Sequence, residues 1–205
     1  IYSSNLCTEI MQNMPAIETL DTSIETIDGE EIIVTKTRPG DFVVCNLASL
    51  VLGNIDLQDD DELKDIVATT VRALDNVIDL NYYPIPYAKV TNRKYRSIGL
   101  GTSGYHHALV KAGMAFSDIE DHLKWADDVY ERINYHAITA SMKIAEEKGS
   151  YDFFEGSDWQ SGEYFDLRDY KDGKWIKLRE DVKNYGLRNG YIMAIAPTGS
   201  TSIIS

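Results

Sequence analysis

Basic residues are scarce in this 205-residue chain: 20 lysines and arginines stand against 33 aspartates and glutamates, a formal net charge of −13. A general nucleic-acid binder needs a basic face to displace counterions from phosphate, so that class is excluded, and any phosphate bound here has to be held locally. Cysteine is scarcer still. Cys7 and Cys45 are the only two, too few and too far apart for a disulfide scaffold or a zinc ribbon, and a reducing cytoplasm is the default setting for such a chain. No apolar run approaches the roughly 20 residues that cross a bilayer, and no leader pattern opens the chain. Internal repeats and low-complexity tracts are also absent. The first residue is Ile1 rather than Met and the last follows the apolar pair Ile203-Ile204, so the chain reads as an internal piece of a longer protein.

What is present is enough for one domain: 43% of the residues are hydrophobic, sufficient for a core at this length. Met11 to Asp21 contains Pro15 and little periodicity and reads as a loop. Isoleucines on both sides of Asp28-Gly29 predict a β-hairpin. After Pro39-Gly40, Phe42 to Leu47 reads as a short buried strand with Cys45 inside it or at its end. Asp59 to Glu62 precedes apolar residues at helical spacing from Leu63 to Ile78, with the acids suited to the helix N-terminus rather than to a metal. Pro84 and Pro86 end that segment and open a Tyr-rich surface stretch. Ser117 to Glu120 has capping-box spacing and starts a long helix that stops at Gly149. Tyr151 to Gly173 reads as an irregular connection, Trp175 to Tyr185 as a helix ended by Gly186, and Tyr191 to Ala196 as a clean buried strand. Strands and helices thus alternate unevenly, which indicates an α/β architecture.

Four stretches bear on chemistry. Asn5, Cys7 and Glu9 alternate within five residues, so an amide, a thiol and a carboxylate converge on one small substrate if the segment is extended or tightly turned. A thiol serves as nucleophile, metal ligand, redox partner or radical carrier, and a carboxylate two residues on accepts a proton; against this, a lone cysteine is most often a small buried hydrophobe. Cys45, in an apolar stretch, poses the same alternative. Pro197-Thr198-Gly199-Ser200-Thr201-Ser202 follows an apolar run and offers hydroxyls and a glycine-bent backbone to a phosphate, or else is an ordinary polar turn with a cap. Gly99-Leu100-Gly101-Thr102-Ser103-Gly104 matches the dinucleotide-binding pattern and precedes a helix near Tyr105, which makes a nicotinamide-dependent oxidoreductase the rival reading. The polar run Arg93 to Ser97 before it and the lack of a second strand ending in an acid argue against that rival; close backbone packing explains the glycines without a ligand. His106, His107, His122 and His136 have no spacing that suggests a metal site.

Taken in order, Ser4-Asn5-Leu6-Cys7-Thr8-Glu9-Ile10, Val44-Cys45-Asn46-Leu47-Ala48-Ser49-Leu50, and Leu187-Arg188-Asn189-Gly190 leading into Ala196-Pro197-Thr198-Gly199-Ser200-Thr201-Ser202 resemble the catalytic subunit of ribonucleotide reductase. The match is closest to the oxygen-dependent class I enzymes, and the Cys45 and Pro197 segments also resemble the cobalamin-dependent class. The resemblance implies a ten-stranded α/β barrel with a radical-bearing cysteine on a central finger loop, of which this chain supplies the finger and part of the second half. It implies that Cys7 carries the thiyl radical, Glu9 takes a proton from the ribose, Asn5 holds its hydroxyls, and Cys45 is one thiol of the reducing pair, whose partner comes from an upstream strand. It further implies that Pro197, Thr198, Gly199, Ser200 and Thr201 hold the diphosphate of a ribonucleoside diphosphate. No cofactor is expected on the chain itself. The radical would come from a metal-containing, diiron or dimanganese, small subunit or from cobalamin, reducing equivalents from thioredoxin or glutaredoxin, and the full-length subunit would form a homodimer, with effector sites upstream of Ile1. A noncatalytic fragment or paralogue is the third reading.

Overall fold

The computed structural model describes residues 8–12 and 14–204. Its core is a helix pair laid over a narrow parallel sheet. Helix α1 (Asp60–Leu80) begins where the Asp59 carboxylate accepts from the Asp61 and Glu62 amides at 3.0 and 3.1 Å, which satisfies two of the amides a helix start leaves open. Its buried stripe, Leu63, Val67, Val71, Leu74 and Ile78, recurs every three or four residues and packs on helix α4 (Ile119–Lys148), which buries Val129, Ile133, Ala137, Ile138 and Ile144. Burial of this kind contributes about 25 cal/mol per Å² of apolar surface and dominates the stability of both helices. At the start of α4, Asp118 is the cap residue, and its carboxylate accepts from the Ala115 amide rather than from the helix.

Strand β3 (Leu47–Val51) pairs in parallel with β4 (Gly99–Ser103), Leu47 opposite Gly99 and Val51 opposite Ser103. On the other side of β4 runs 191–194. The Ile98 amide donates to the Tyr191 carbonyl at 2.9 Å, Leu100 to Ile192 at 2.8 Å, and the Ala194 amide returns to Leu100 at 3.0 Å. Helices cover the sheet, as parallel strands require.

Several elements differ from the sequence reading. The strand expected over Phe42 to Leu47 begins only at Leu47, and Cys45 is exposed just before it. The upstream backbone is engaged elsewhere: the Phe42 amide donates to Thr91 Oγ1 at 2.7 Å, and strand pairing starts when the Gly99 amide meets the Asn46 carbonyl at 2.9 Å. Strand β1 (Glu18–Ile27) takes in part of the expected loop, and with β2 (Glu30–Arg38) forms the hairpin, with Asp28 and Gly29 at φ 52° and 86°, the left-handed pair that a two-residue turn demands. Pro86 opens helix α2 (Pro86–Tyr95), because a proline in the first turn loses no helical hydrogen bond. Helix α3 is Tyr105–Lys111. The expected irregular connection holds two short helices, α5 (Asp158–Ser161) and α6 (Glu163–Leu167), before α7 (Gly173–Tyr185). The expected strand Tyr191 to Ala196 makes only one bridge, at Met193, and Ile195 is exposed; among the described residues it has a sheet neighbour on the β4 side alone.

A buried polar hub joins these parts. The Arg96 Nε donates to Asp75 Oδ1 at 2.8 Å, and its two terminal nitrogens reach Asp79 at 3.0 and 2.8 Å. The Asn189 amide donates to Asp75 Oδ1 at 3.2 Å and to the Arg96 carbonyl at 3.0 Å, and its oxygen accepts from Ser141 Oγ at 2.9 Å. The Arg96 hydrogen bond holds the half-exposed Asp79 carboxyl below its ordinary value.

Two expectations follow from this packing. A methyl group at Gly101 would lie 2.3 Å from the Ala194 carbonyl oxygen, whereas one at Gly99 meets first the movable end of the Leu47 side chain. In urea titrations Gly101→Ala therefore costs about 1–3 kcal/mol or more, and Gly99→Ala less. Because the Asp79 pKa is depressed on folding, its contribution is present above the unfolded carboxylate range, about pH 4, and is lost as pH falls through the folded value. Asp79→Asn will be less stable at neutral pH and will show a shallower loss of stability on acidification, measured by the same titrations between pH 7 and 3.

Candidate active site

Asn5 and Cys7 lie outside the described residues, so the site is built from its other members. Glu9 and Cys45, 36 positions apart in the chain, are in direct contact: the Cys45 thiol donates to Glu9 Oε1 at 3.2 Å. The second carboxylate oxygen of Glu9, Oε2, is buried and has no hydrogen-bond partner among the described residues. One oxygen thus holds a thiol, while the other is a desolvated acceptor positioned to take a proton or a hydroxyl.

The two side chains meet because the segments that carry them share a small core. Ile10 and Met14, beside Glu9, pack with Val43, beside Cys45, and with Ala194 and Leu47. Gly99 sits at its centre: a methyl group there would lie 2.4 Å from Leu47 Cδ2, 3.0 Å from Ala194 Cβ and 3.4 Å from Ile10 Cδ1. The Cys45 segment is held from behind. Asp41, its side chain fully buried, accepts from Lys94 Nζ at 2.7 Å and from the Tyr95 hydroxyl at 2.8 Å, and Asn46 Nδ2 donates to the Leu74 carbonyl at 2.9 Å. Burial and the Asp41 hydrogen bond push the Tyr95 phenol far above its ordinary pKa, so it stays a donor at any physiological pH.

The Pro197–Thr201 stretch leaves the sheet three residues after Ala194 and is largely exposed. It turns into a single 3₁₀ turn, Thr201–Ile203, with the Ser202 amide on the Thr198 carbonyl at 2.9 Å and Ser202 Oγ on the Gly199 carbonyl at 3.1 Å. A methyl group built on Gly199 meets nothing within 4 Å, so this backbone is open to an approaching group. Thr198 has φ 51° and Thr8, next to Glu9, φ 65°. These are the only β-branched residues in the left-handed region among the described residues, a conformation that costs about 1–3 kcal/mol and persists mainly at working sites.

The dinucleotide reading of Gly99, Gly101 and Gly104 is overturned by placement. Gly99 and Gly101 are buried inside β4, packed against Leu47 and Ala194, and only Gly104, at φ 67°, forms the turn into α3; no loop is left to wrap a pyrophosphate. His122 contacts the Tyr105 hydroxyl at 2.5 Å and His136 contacts Asp60 at 3.0 Å. Among the described residues no group of three or more His, Cys, Asp or Glu is arranged to hold a metal ion, and no helix is long and apolar enough to cross a membrane. Arg188 and Asn189 belong to the buried hub rather than to the site. A cleft of about 760 Å³, lined by Tyr130, Asn134, Tyr164, Tyr170, Trp175 and Met193 among others, opens on the flank of the 193–195 segment; two of its aromatic residues, Tyr164 and Tyr170, come from the region the sequence presents as irregular. The sequence reading also passed over Gln12 and Ser97, which carry no motif.

An acid and a thiol are thus brought together just before β3 of a parallel α/β sheet, and an exposed, hydroxyl-rich turn follows the segment on the other side of β4. The ribonucleotide reductase barrel-domain model matches residues 1–205, and the chain belongs to that family. It is 59% identical over 205 residues to the ribonucleoside-diphosphate reductase subunit alpha of Treponema pallidum (strain Nichols), with all of this chain and 24% of that protein covered. Against the protein of the same name from Helicobacter pylori (strain ATCC 700392 / 26695) it is 39% identical over 250 residues, covering all of this chain and 31% of the relative. The ribonucleoside-diphosphate reductase large subunit of Monkeypox virus is 35% identical over 218 residues, again with all of this chain and 24% of the relative covered. The chain thus spans about a quarter to a third of the length of these relatives.

Proposed function

We propose that this chain forms the reducing site of a ribonucleoside-diphosphate reductase catalytic subunit, in the cytoplasm. The observation that carries the reading is the Cys45–Glu9 contact at 3.2 Å, with the second Glu9 oxygen buried and open. In this reading the Cys7 sulfur, as a thiyl radical, takes the 3′ hydrogen of the ribose, Glu9 accepts the 3′ hydroxyl proton, and Asn5 holds the hydroxyls. The 2′ hydroxyl then leaves as water with a proton from the thiol pair, and after the carbon is reduced the Cys7 thiol returns its hydrogen to C3′ and becomes the thiyl radical again. Two electrons come from Cys45 and a second cysteine of the full-length subunit, which close a disulfide that thioredoxin or glutaredoxin reopens by thiol exchange. The radical is supplied by a separate metal-containing small subunit, the source that the resemblance to the oxygen-dependent enzymes implies. Pro197, Thr198, Gly199, Ser200 and Thr201 take the diphosphate on backbone amides and hydroxyls, the mode of anion binding open to so acidic a chain. The spacing has a physical reason: hydrogen abstraction needs near contact, and the base must reach the neighbouring oxygen in the same pose.

The test uses the complete catalytic subunit with its radical-generating partner. Glu9→Gln, which keeps shape and loses the base, is expected to lower kcat roughly 10²–10⁴-fold with little change in substrate affinity, and Cys7→Ser to abolish turnover. Gly199→Val is expected to weaken substrate binding in calorimetry, whereas Thr8→Val is not. Appreciable turnover by Cys7→Ser, or equal binding by the Gly199 and Thr8 variants, would remove these residues from their assigned roles.

A further inference from the structure

From Ile10 to Met14 the described side chains alternate, with Ile10, Gln12 and Met14 buried and Met11 exposed, the period of an extended segment lying on a core. Ile10 and Met14 are what such a face calls for, and they join the cluster with Val43, Leu47 and Ala194. Gln12 is not. It is 4% exposed, its Oε1 accepts from the Ser97 hydroxyl at 2.7 Å, and its Nε2 is buried with no hydrogen-bond partner among the described residues. Ser97, itself 3% exposed, lies two residues before β4. An amide that satisfies one end and leaves the other bare is a poor way to stabilise a core.

What the hydrogen bond supplies is register. An apolar stripe of period two accepts a slide of two residues with its apolar face still buried, and a slide of two along an extended segment is a displacement of about 6–7 Å. For this segment it would carry Glu9 away from Cys45. With Gln12 in place, the same slide would put an amide into an apolar slot and leave the Ser97 hydroxyl unpaired, so it is disfavoured. A single buried polar group that sets register at the expense of stability is the best-attested use of such groups.

We infer that Gln12 is a positioning residue: its hydrogen bond to Ser97 pins the register of the Glu9 segment against β4 and thereby holds the Glu9 carboxylate on the Cys45 thiol. The role assigned to Glu9 in catalysis rests on the proposed function; the pin itself does not. In the complete subunit assayed with its radical-generating partner, Gln12→Leu is expected to lower kcat by at least about tenfold, as a misplacement of a few ångströms does, with KM unchanged. The melting temperature should fall little, because the buried apolar side chain and the removal of the bare Nε2 offset the loss of the Ser97 hydrogen bond. Ser97→Ala should lower kcat in the same way, with some loss of melting temperature because the buried Gln12 carboxamide loses its Ser97 partner; Ser97→Thr, which keeps the hydroxyl, should retain activity, and the double variant should be no worse than the poorer single. On the same proteins, iodoacetamide labelling of Cys45, resolved by peptide mapping, should rise severalfold in Gln12→Leu as the carboxylate leaves the thiol. Should the wild-type subunit fail to reduce ribonucleotides while Gln12→Leu still raises Cys45 labelling, the proposed function fails and the pin stands. Unchanged labelling together with unchanged kcat, or a melting temperature that falls in step with activity, overturns the pin. If Gln12→Leu does not fold, Ser97→Ala decides by kcat and Cys45 labelling, unchanged values of both overturning the pin.

Discussion

The structure depends on one buried charge cluster. Asp75 and Arg96 are both removed from solvent, and Asn189 and Ser141 complete their hydrogen bonding. The four residues come from α1, from the turn between α2 and β4, from the 187–190 segment and from α4, so every layer of the fold meets at this point. Two charges in a dry interior are tolerable only when paired and fully hydrogen-bonded. Arg96 achieves this in the left-handed conformation, at φ 48°, which ends α2 and turns the chain toward β4. Because β4 starts three residues after Arg96 and its neighbouring segment two after Asn189, the hub also fixes how those two lie side by side.

On that sheet, the site is a consequence of small residues. Gly99 and Gly101 let Leu47, Ala194 and Ile10 close over β4, and this closure draws together chain segments that carry a carboxylate, a thiol and a hydroxyl-rich turn. The close approach leaves no room for a side chain, which is why the glycines belong to packing rather than to a nucleotide. The backbone is strained at Thr8, next to Glu9, and at Thr198, in the hydroxyl-rich turn, a cost that the well-packed sheet and helices sustain. The Asp41, Lys94 and Tyr95 cluster performs the same service for the Cys45 segment, replacing strand pairing with side-chain hydrogen bonds just where the thiol is exposed.

Much of this was legible in the sequence, for reasons of local physics. The apolar spacing and acidic cap of α1, the long periodic run of α4, and Asp28-Gly29 between isoleucines each carry their conformation in their own side chains, and the structure bears them out. Glu9 and Cys45 were singled out from their motifs and are found in contact. What depended on partners distant in sequence was misread. Phe42 to Cys45 has the composition of a strand, but the Phe42 amide is taken by the Thr91 hydroxyl and strand pairing starts only at Leu47, and Tyr191 to Ala196 has an apolar run but a single sheet neighbour among the described residues. The 151–173 region looks structureless because its two helices are a turn or so long and are held by aromatic stacking, Trp159 on Tyr164 and Tyr170 on Trp175, each with ring centroids 3.8 Å apart, rather than by any period.

The amino-acid sequence by itself determined the α/β class, the principal helices and the hairpin, and marked Glu9 and Cys45 as candidates, because those follow from side-chain periodicity and from local motifs. The tertiary structure alone decided that the glycine pattern is a packed strand, that Glu9 touches Cys45 across 36 positions of chain, and that Gln12 is buried on Ser97. These are contacts between segments far apart in the chain, and close-packed interiors select such contacts through shape and hydrogen-bond satisfaction, which no single stretch of sequence contains.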